Sequence, residues 1–294
     1  LGAQIGNYKI VSVLGKGGFA TVYKARDVKL GCDIALKFLR DPFDQKHREL
    51  FEREAKALGT LVKNDFIVRI HAWGEHQDRA YFALELVDSS AQKLLAKKDG
   101  VDVTTALRVM AQSAEAVAYA HKQGILHRDI KPGNILIDDD GRGRAKIADF
   151  GLARFYGSGQ VSREGAISGS LHYMSPEQAS GDEHLDEKTD IYSLGVTLYE
   201  LLSGKRFIEG EGQNQILARV REGKAIPLRE RKPKLDQRIV DIVDKATAFD
   251  PADRYDSAED LANELWKQWN KIQAGESSES DSDEKVSGLL VKVR

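Results

Sequence analysis

Residues His127–Asn134 read HRDIKPGN and run straight into the apolar triplet Ile135-Leu136-Ile137. An acid at 129, a lysine two positions on and an asparagine five positions on, ahead of an apolar strand, describe a polar loop held at the edge of a core. As chemistry, Asp129 suits the proton of an incoming hydroxyl and Lys131 suits the charge of a transferring phosphoryl group. Asn134 offers an amide oxygen to a hard cation. HRD alone is often a surface turn, so the weight rests on the whole string and on what stands at a distance from it.

Fifteen residues beyond Asn134 comes Asp149-Phe150-Gly151, after the short apolar run AKIA. A carboxylate at a strand end followed by glycine suits magnesium, which takes few protein oxygens and completes its shell with phosphate and water. Toward the N-terminus, Lys37 ends the run IALK, and strand alternation puts it on the same face as Ala35. A lysine on an apolar face needs an anionic partner, since an unpaired buried charge is costly. The helical pattern at 47–62 offers Glu49, Glu52 and Glu54, and Glu54 borders the stripe of Phe51, Ala55, Leu58 and Val62. Glu54 is therefore the expected partner. Gly15 and Gly17, in LGKGGFATVY, would let a hairpin backbone come close to a polyphosphate.

The surrounding pattern fits an α+β chain of two unequal lobes. From Tyr8 to about Val87, runs such as YKIVSVL, TVYKARD, DIALKFL, IVRIHAW and RAYFALELV predict a five-stranded, mainly antiparallel sheet carrying one helix. Beyond Lys97–Gly100 the period becomes helical, with predicted helices from Val103 onward and at about 190–203, 214–222, 237–248 and 257–273. Residues 1–87 are read as the small lobe and 88–273 as the large one. Residues 274–294 hold the serine-rich acidic run GESSESDSDEK and are read as a flexible tail or linker.

At 294 residues, 41% hydrophobic and 31% charged, with a formal charge of −2, the composition is that of an ordinary soluble protein. No long basic block points to nucleic acid. One cysteine, Cys32, rules out an intrachain disulfide framework and favours a reducing cytoplasm. No apolar run approaches the roughly 18 residues of a membrane span. A start at Leu1 suggests a piece of a longer polypeptide, so the expectation is a cytoplasmic domain, with any membrane anchor lying outside this sequence.

Together these residues resemble the eukaryotic-type (Hanks-type) protein serine/threonine kinases over roughly residues 5–273, and MSPEQ and HRDIKPGNILI read most like the bacterial branch. The resemblance implies a bilobal protein-kinase fold that uses ATP with Mg2+, or Mn2+ as a substitute, on protein substrates. It implies an ATP site at Leu14, Gly15, Gly17, Val22, Ala35, Lys37, Glu54, Glu85, Val87 and Leu136, with Lys37 on the α- and β-phosphates and paired to Glu54. It further implies Asp129 as catalytic base beside Lys131, the mark of serine/threonine specificity, and Asn134 and Asp149 as metal ligands. Glu177 would close the activation segment and pair with Arg254, and Asp190 would brace the catalytic loop. Family analogy also admits a homodimer through the small lobe. Two departures stand out: Ala20 replaces a third glycine, and Ser170 stands where threonine is usual.

Arg128, just before Asp129, is in this family the sign of control through a phosphorylated activation segment. No threonine lies between Asp149 and Glu177, so ahead of Ser175-Pro176-Glu177 the available aliphatic hydroxyls are Ser158, Ser162, Ser168 and Ser170, and autophosphorylation is expected at Ser162 or Ser168. Two rivals are weighed. A nucleotide-binding pseudokinase would lack one of Lys37, Asp129 or Asp149. A small-molecule kinase would lack the long activation segment. His127 is read as a packed structural residue and at least one of Trp266 and Trp269 as core.

Overall fold

The alternating runs near the N-terminus become an antiparallel sheet in the computed structural model, which describes residues 2–17, 20–39, 55–56, 58–96, 100–138, 143–150 and 170–275. Its strands are β1 (Gln4–Ile5), β2 (Tyr8–Lys16), β3 (Ala20–Asp27), β4 (Cys32–Leu39), β5 (Ile70–His76) and β6 (Arg79–Glu85), in the order β1-β2-β3-β4-β6-β5. The sheet thus has six strands, not the expected five. The extra strand pairs Gln4 with Lys9 and Ile5 with Tyr8 across a turn at Gly6, and two residues are too short to show alternation. Of the predicted first helix, the described residues 55–56 and 58–59 are helical, and a 3-10 turn follows at Thr60–Lys63. Ala55 packs against Ala20, Leu39 and Phe82 of the sheet, while Leu58 and Leu61 join the larger core below it.

After the hinge the chain forms β7 (Ser89–Ser90), α1 (Ala91–Leu94), α2 (Val103–His121), β8 (Ile135–Asp138), β9 (Arg144–Ile147), α3 (Pro176–Ser180) and α4 (Glu187–Ser203). Then follow α5 (Gln213–Arg221), α6 (Leu228–Arg231), α7 (Gln237–Ala246) and α8 (Ala258–Gln273). Side chains fix the helix starts: Asp102, Asp186, Asp236 and Ser257 each accept a backbone N–H in the first turn of the helix that follows. The short α1, α3 and α6 escaped the periodicity because four or five residues do not complete an amphipathic stripe.

α4 is the axis of the helical lobe, buried from Thr189 to Ser203 and ended by Gly204 at φ +68. Gly195 within it is required by packing. A Cβ there would lie 2.7 Å from the Ala246 Cβ and 2.8 Å from Thr247 Cγ2, so α7 can approach α4 only where no side chain intervenes. Leu107, Met110, Ala114 and Val117 of α2, at most 1% exposed, fill the other side of the core. Each fully buried Leu or Met contributes roughly 1.5–3 kcal/mol relative to exposure. Trp266 and Trp269 of α8 are half-buried against this core, their rings edge to face at 5.4 Å, and the Trp266 indole donates to Glu115 Oε1 at 2.6 Å. The loop of residues 122–134 leaves α2 and leads into β8, whose partner β9 meets the small lobe through the Val68 N–H on Ile147 O at 2.9 Å and Lys146 on Glu85 at 2.6 Å, which is what places HRDIKPGN at the junction.

Candidate active site

The HRDIKPGN loop is held from below by one carboxylate. Asp190 of α4, fully buried, accepts the backbone N–H of His127 at 2.8 Å, that of Arg128 at 2.7 Å and the His121 Nε2 proton at 2.8 Å. Burial raises its pKa, but the bond and charge of His121, with His127, outweigh it, and the carboxyl lies below the ordinary aspartate range. The grip holds Arg128 at φ +66, a left-handed conformation that a non-glycine residue adopts at a cost of about 1 kcal/mol or more. His127 is wholly buried; Nε2 donates to Ala148 O at 2.9 Å, Nδ1 accepts the Asp129 N–H at 3.2 Å, and its ring lies 4.6 Å from that of Phe150. It is a packed structural residue, as expected.

The carboxylate of Asp129 receives Lys131 Nζ at 2.6 Å and Asn134 Nδ2 at 3.1 Å, and Nδ2 also reaches the Asp129 carbonyl at 2.7 Å. Lys131 Nζ extends to Ser170 Oγ at 2.7 Å, so the serine at the unusual position keeps a hydroxyl contact with this lysine. With its amide nitrogen so engaged, Asn134 Oδ1 has no hydrogen-bond partner among the described residues. Asp149, two residues past β9 and at φ +69, lies near enough to His127 and Lys131 for their charges to act on its carboxyl. The available donors are therefore oxygens of an amide and a carboxylate, the set that suits a hard divalent cation sharing its shell with phosphate.

Lys37 is 7% exposed on the inner side of β4, and its Nζ lies 2.6 Å from Asp149 Oδ1. The partner that the structure shows is thus Asp149, whereas the expected Glu54 lies outside the described residues. Burial raises the Asp149 carboxyl, but the charge and hydrogen bond of Lys37 outweigh it and hold the pKa below its ordinary value. Behind this pair a largely apolar cavity is lined by Leu58, Leu61, Ile67, Phe82, Ile147 and Phe150.

Among the other expected nucleotide residues, Gly15 pairs with Val22 and the Gly17 N–H closes the β2–β3 hairpin on Ala20 O at 2.8 Å. Neither glycine has a positive φ, a Cβ on Gly15 would meet nothing within 4 Å, and one on Gly17 only Ala20 O at 3.5 Å. Among the described residues nothing demands glycine there, which leaves open backbone as their distinguishing property. Leu14 is 51% exposed; Val22 sits opposite Lys37, Ala35 opposite Leu84, and half-buried Leu136 opposite Lys146. Val87 follows β6 in the hinge. The Glu85 side chain takes Lys146 Nζ at 2.6 Å and the Arg69 N–H at 3.2 Å, and its backbone N–H donates to Arg69 O at 2.9 Å, so both carboxylate and N–H are spent within the protein. Lys146, 4% exposed and not anticipated, carries no legible signal beyond strand alternation.

At the far end of the activation segment, Glu177 and Arg254 form a two-pronged pair, Nη1–Oε1 at 2.8 Å and Nη2–Oε2 at 3.0 Å. Ser175 and Gln178 form a reciprocal capping box at the start of α3, and Gln178 Nε2 donates to Arg128 O at 3.1 Å, tying α3 to the loop. Serine three residues ahead of glutamine was a readable signal for that cap. Ser158, Ser162 and Ser168 lie outside the described residues.

Comparison with known proteins agrees with this geometry. Residues 8–267 match the protein kinase domain model. The serine/threonine-protein kinase PrkC of Bacillus subtilis is 38% identical over 263 residues, covering 88% of this chain and 40% of PrkC. Serine/threonine-protein kinase PknB of Mycobacterium leprae is 34% identical over 267 residues, covering 88% of this chain and 42% of PknB. Among solved structures, the PknI kinase domain of Mycobacterium tuberculosis (C20A mutant) superposes with a TM-score of 0.71 at 27% identity, over 91% of this chain and 97% of that one. The chain spans about two fifths of the length of such curated relatives. No helix among the described residues is long and apolar enough to cross a membrane. On the extent of the match and the arrangement of its loop, the chain belongs to the protein kinase family, in the bacterial branch of the Hanks-type serine/threonine kinases.

Proposed function

We propose that this chain transfers the γ-phosphoryl group of ATP to serine or threonine hydroxyls of protein substrates. The observation that carries the reading is the Asp129 carboxylate, held at 2.6 Å from Lys131 and 3.1 Å from Asn134 above a loop fixed by Asp190. In this reading residues 1–87 and 88–273 act as two lobes around the nucleotide, and 274–294 as a tail. ATP supplies the transferable phosphoryl group, and a divalent ion, Mg2+ or Mn2+, shields its charge. Asn134 Oδ1 and the Asp149 carboxylate would hold the ion, and Lys37 would hold the α- and β-phosphates. Asp129 accepts the proton of the acceptor hydroxyl as the new O–P bond forms and the bond to the β-phosphate oxygen breaks. Lys131 offsets negative charge on the moving group.

Control is proposed to run through the activation segment, with Arg128 pairing a phosphate on Ser162 or Ser168. A cytoplasmic location and a homodimer through the small lobe belong to the same reading. Incubating the chain with Mg-ATP and mixed histones tests it. Acceptor-dependent phosphate transfer is expected, reduced at least about a hundredfold in Asp129→Asn. ATP binding without transfer would favour a scaffold instead. Phosphopeptide mapping of the same reaction decides the regulatory part, which falls if modification is confined to the serines of 277–282.

A further inference from the structure

A buried polar cluster sits directly behind the segment that carries Ser170. Tyr173, 4% exposed, ends the 3-10 turn Leu171–Tyr173, and its hydroxyl donates to Glu200 Oε2 at 2.6 Å. Arg206 Nη1 donates to that same oxygen at 3.0 Å and also to the tyrosine hydroxyl, with the guanidinium carbon 5.1 Å from the ring centroid. Glu200 is 6% exposed in the last turn of α4, and Arg206 lies just past the Gly204 cap. One cation reaching in from the surface therefore neutralises a carboxylate that the fold buries. Burial and the adjacent Glu200 hold the Tyr173 hydroxyl far above the phenol range, so its donor role does not change near neutral pH.

The turn is fastened at further points. Ser193 Oγ donates to Tyr173 O at 2.8 Å, His172 Nδ1 donates to Ile208 O at 2.9 Å, and the Tyr173 N–H returns to Ser170 O at 3.0 Å. Ser170 Oγ accepts from Lys131 Nζ, which in turn holds Asp129. A continuous set of contacts thus runs from Arg206 through Tyr173 and Ser170 to Lys131 and the Asp129 carboxylate.

We propose that Arg206 is a positioning residue for the acceptor side of this site: by neutralising Glu200 and gripping Tyr173 it fixes the 170–173 turn, and with it the lysine that steadies Asp129 where a protein hydroxyl must arrive. The inference rests on the kinase reading above. Lys37 and Asp149 lie on the nucleotide side and are not part of this set, so the effect of losing Arg206 falls on the acceptor constants. A merely structural ion pair would instead lower stability and weaken both substrates alike.

The test uses the whole chain, steady-state kinetics with mixed histones and Mg-ATP, and thermal unfolding of each variant. Arg206→Ala is expected to lower kcat/KM for the histone acceptor by about tenfold, with KM for ATP within about twofold of the parent. Arg206→Lys should recover part of the loss by restoring the charge without the planar fork. Should Arg206→Ala not fold, Tyr173→Phe, which keeps the ring and the Glu200–Arg206 pair, carries the test and should show a loss of the same kind. Unchanged acceptor kinetics in both variants, or equal losses for ATP and acceptor, overturn the positioning role. No transfer by the parent chain would instead overturn the kinase reading on which it rests.

Discussion

Replacing Arg254 with methionine should unfold the chain at a markedly lower temperature. Arg254 is 2% exposed and makes five hydrogen bonds: two to Glu177, and one each to the carbonyls of Ala248, Lys188 and Phe249 at 2.8, 2.9 and 3.1 Å. The variant leaves the Glu177 carboxylate, whose side chain is 13% exposed, with the Thr189 hydroxyl as its remaining side-chain donor. Breaking such a pair by removing one partner costs roughly 3–5 kcal/mol. At about 2–4 °C per kcal/mol for a chain of this size, the midpoint should fall by roughly 10 °C. The deficit should also depend on pH. Burial raises the Glu177 carboxyl, but the bond and charge of Arg254 outweigh it, so its folded pKa is depressed. A depressed carboxylate contributes stability that is present above its unfolded value of about 4.3 and is lost as pH falls through the folded pKa. In Arg254→Met the main depressing partner is gone and burial is opposed by the Thr189 hydroxyl and a backbone hydrogen bond, so protonation costs the variant less than it costs the parent. Urea unfolding at pH 7 and near pH 4, with Glu177→Gln and the double variant completing a cycle, checks this. A deficit under about 1 kcal/mol, one equal at both pH values, or strict additivity in the cycle would refute the argument.

Two further outcomes follow from contacts inside the helical lobe. Asp190→Asn replaces with a donating NH2 one of the two oxygens that share three donors, so kcat for histone phosphorylation should fall by about tenfold or more while the variant stays folded by circular dichroism; undiminished turnover would show that the loop holds its own shape. Gly195→Ala places a methyl 2.7 Å from Ala246 Cβ and should cost about 1–3 kcal/mol in urea unfolding, with a neutral result showing that α4 and α7 can slide apart without penalty.

What could be read from the sequence was local. HRDIKPGN states its chemistry within eight residues, strand alternation put Lys37 on the inner face, and the stripes of α2, α7 and α8 announced themselves by period. The groups that hold the loop were harder. His121 packs against Asp190 from 69 residues away, and neither residue carries a local pattern that names the other. Asp190 was reachable through resemblance alone, and Arg206 and Lys146 were not reached at all, because a buried ion pair is set by which helices and strands meet and not by spacing along the chain. The sixth strand was missed for the opposite reason: two residues hold too little pattern to declare a strand, although the turn at Gly6 closes it.

The pairing of Lys37 shows why role and contact must be argued separately. Alternation required an anion for a lysine 7% exposed, and the structure supplies Asp149 Oδ1 at 2.6 Å. Sharing that oxygen between the ammonium at this distance and a divalent ion would bring two cations together, at a cost in repulsion. Asp149 Oδ2 and Asn134 Oδ1 are the oxygens left for an ion while Lys37 stays where it is. Turning Lys37 toward phosphate oxygens would loosen its hold on Asp149, and the negative charge so uncovered is the charge a divalent ion would meet. Lys37 and the proposed metal ion would thus draw on the same carboxylate, and the arrangement described here has Lys37 compensating a charge proposed for a different partner.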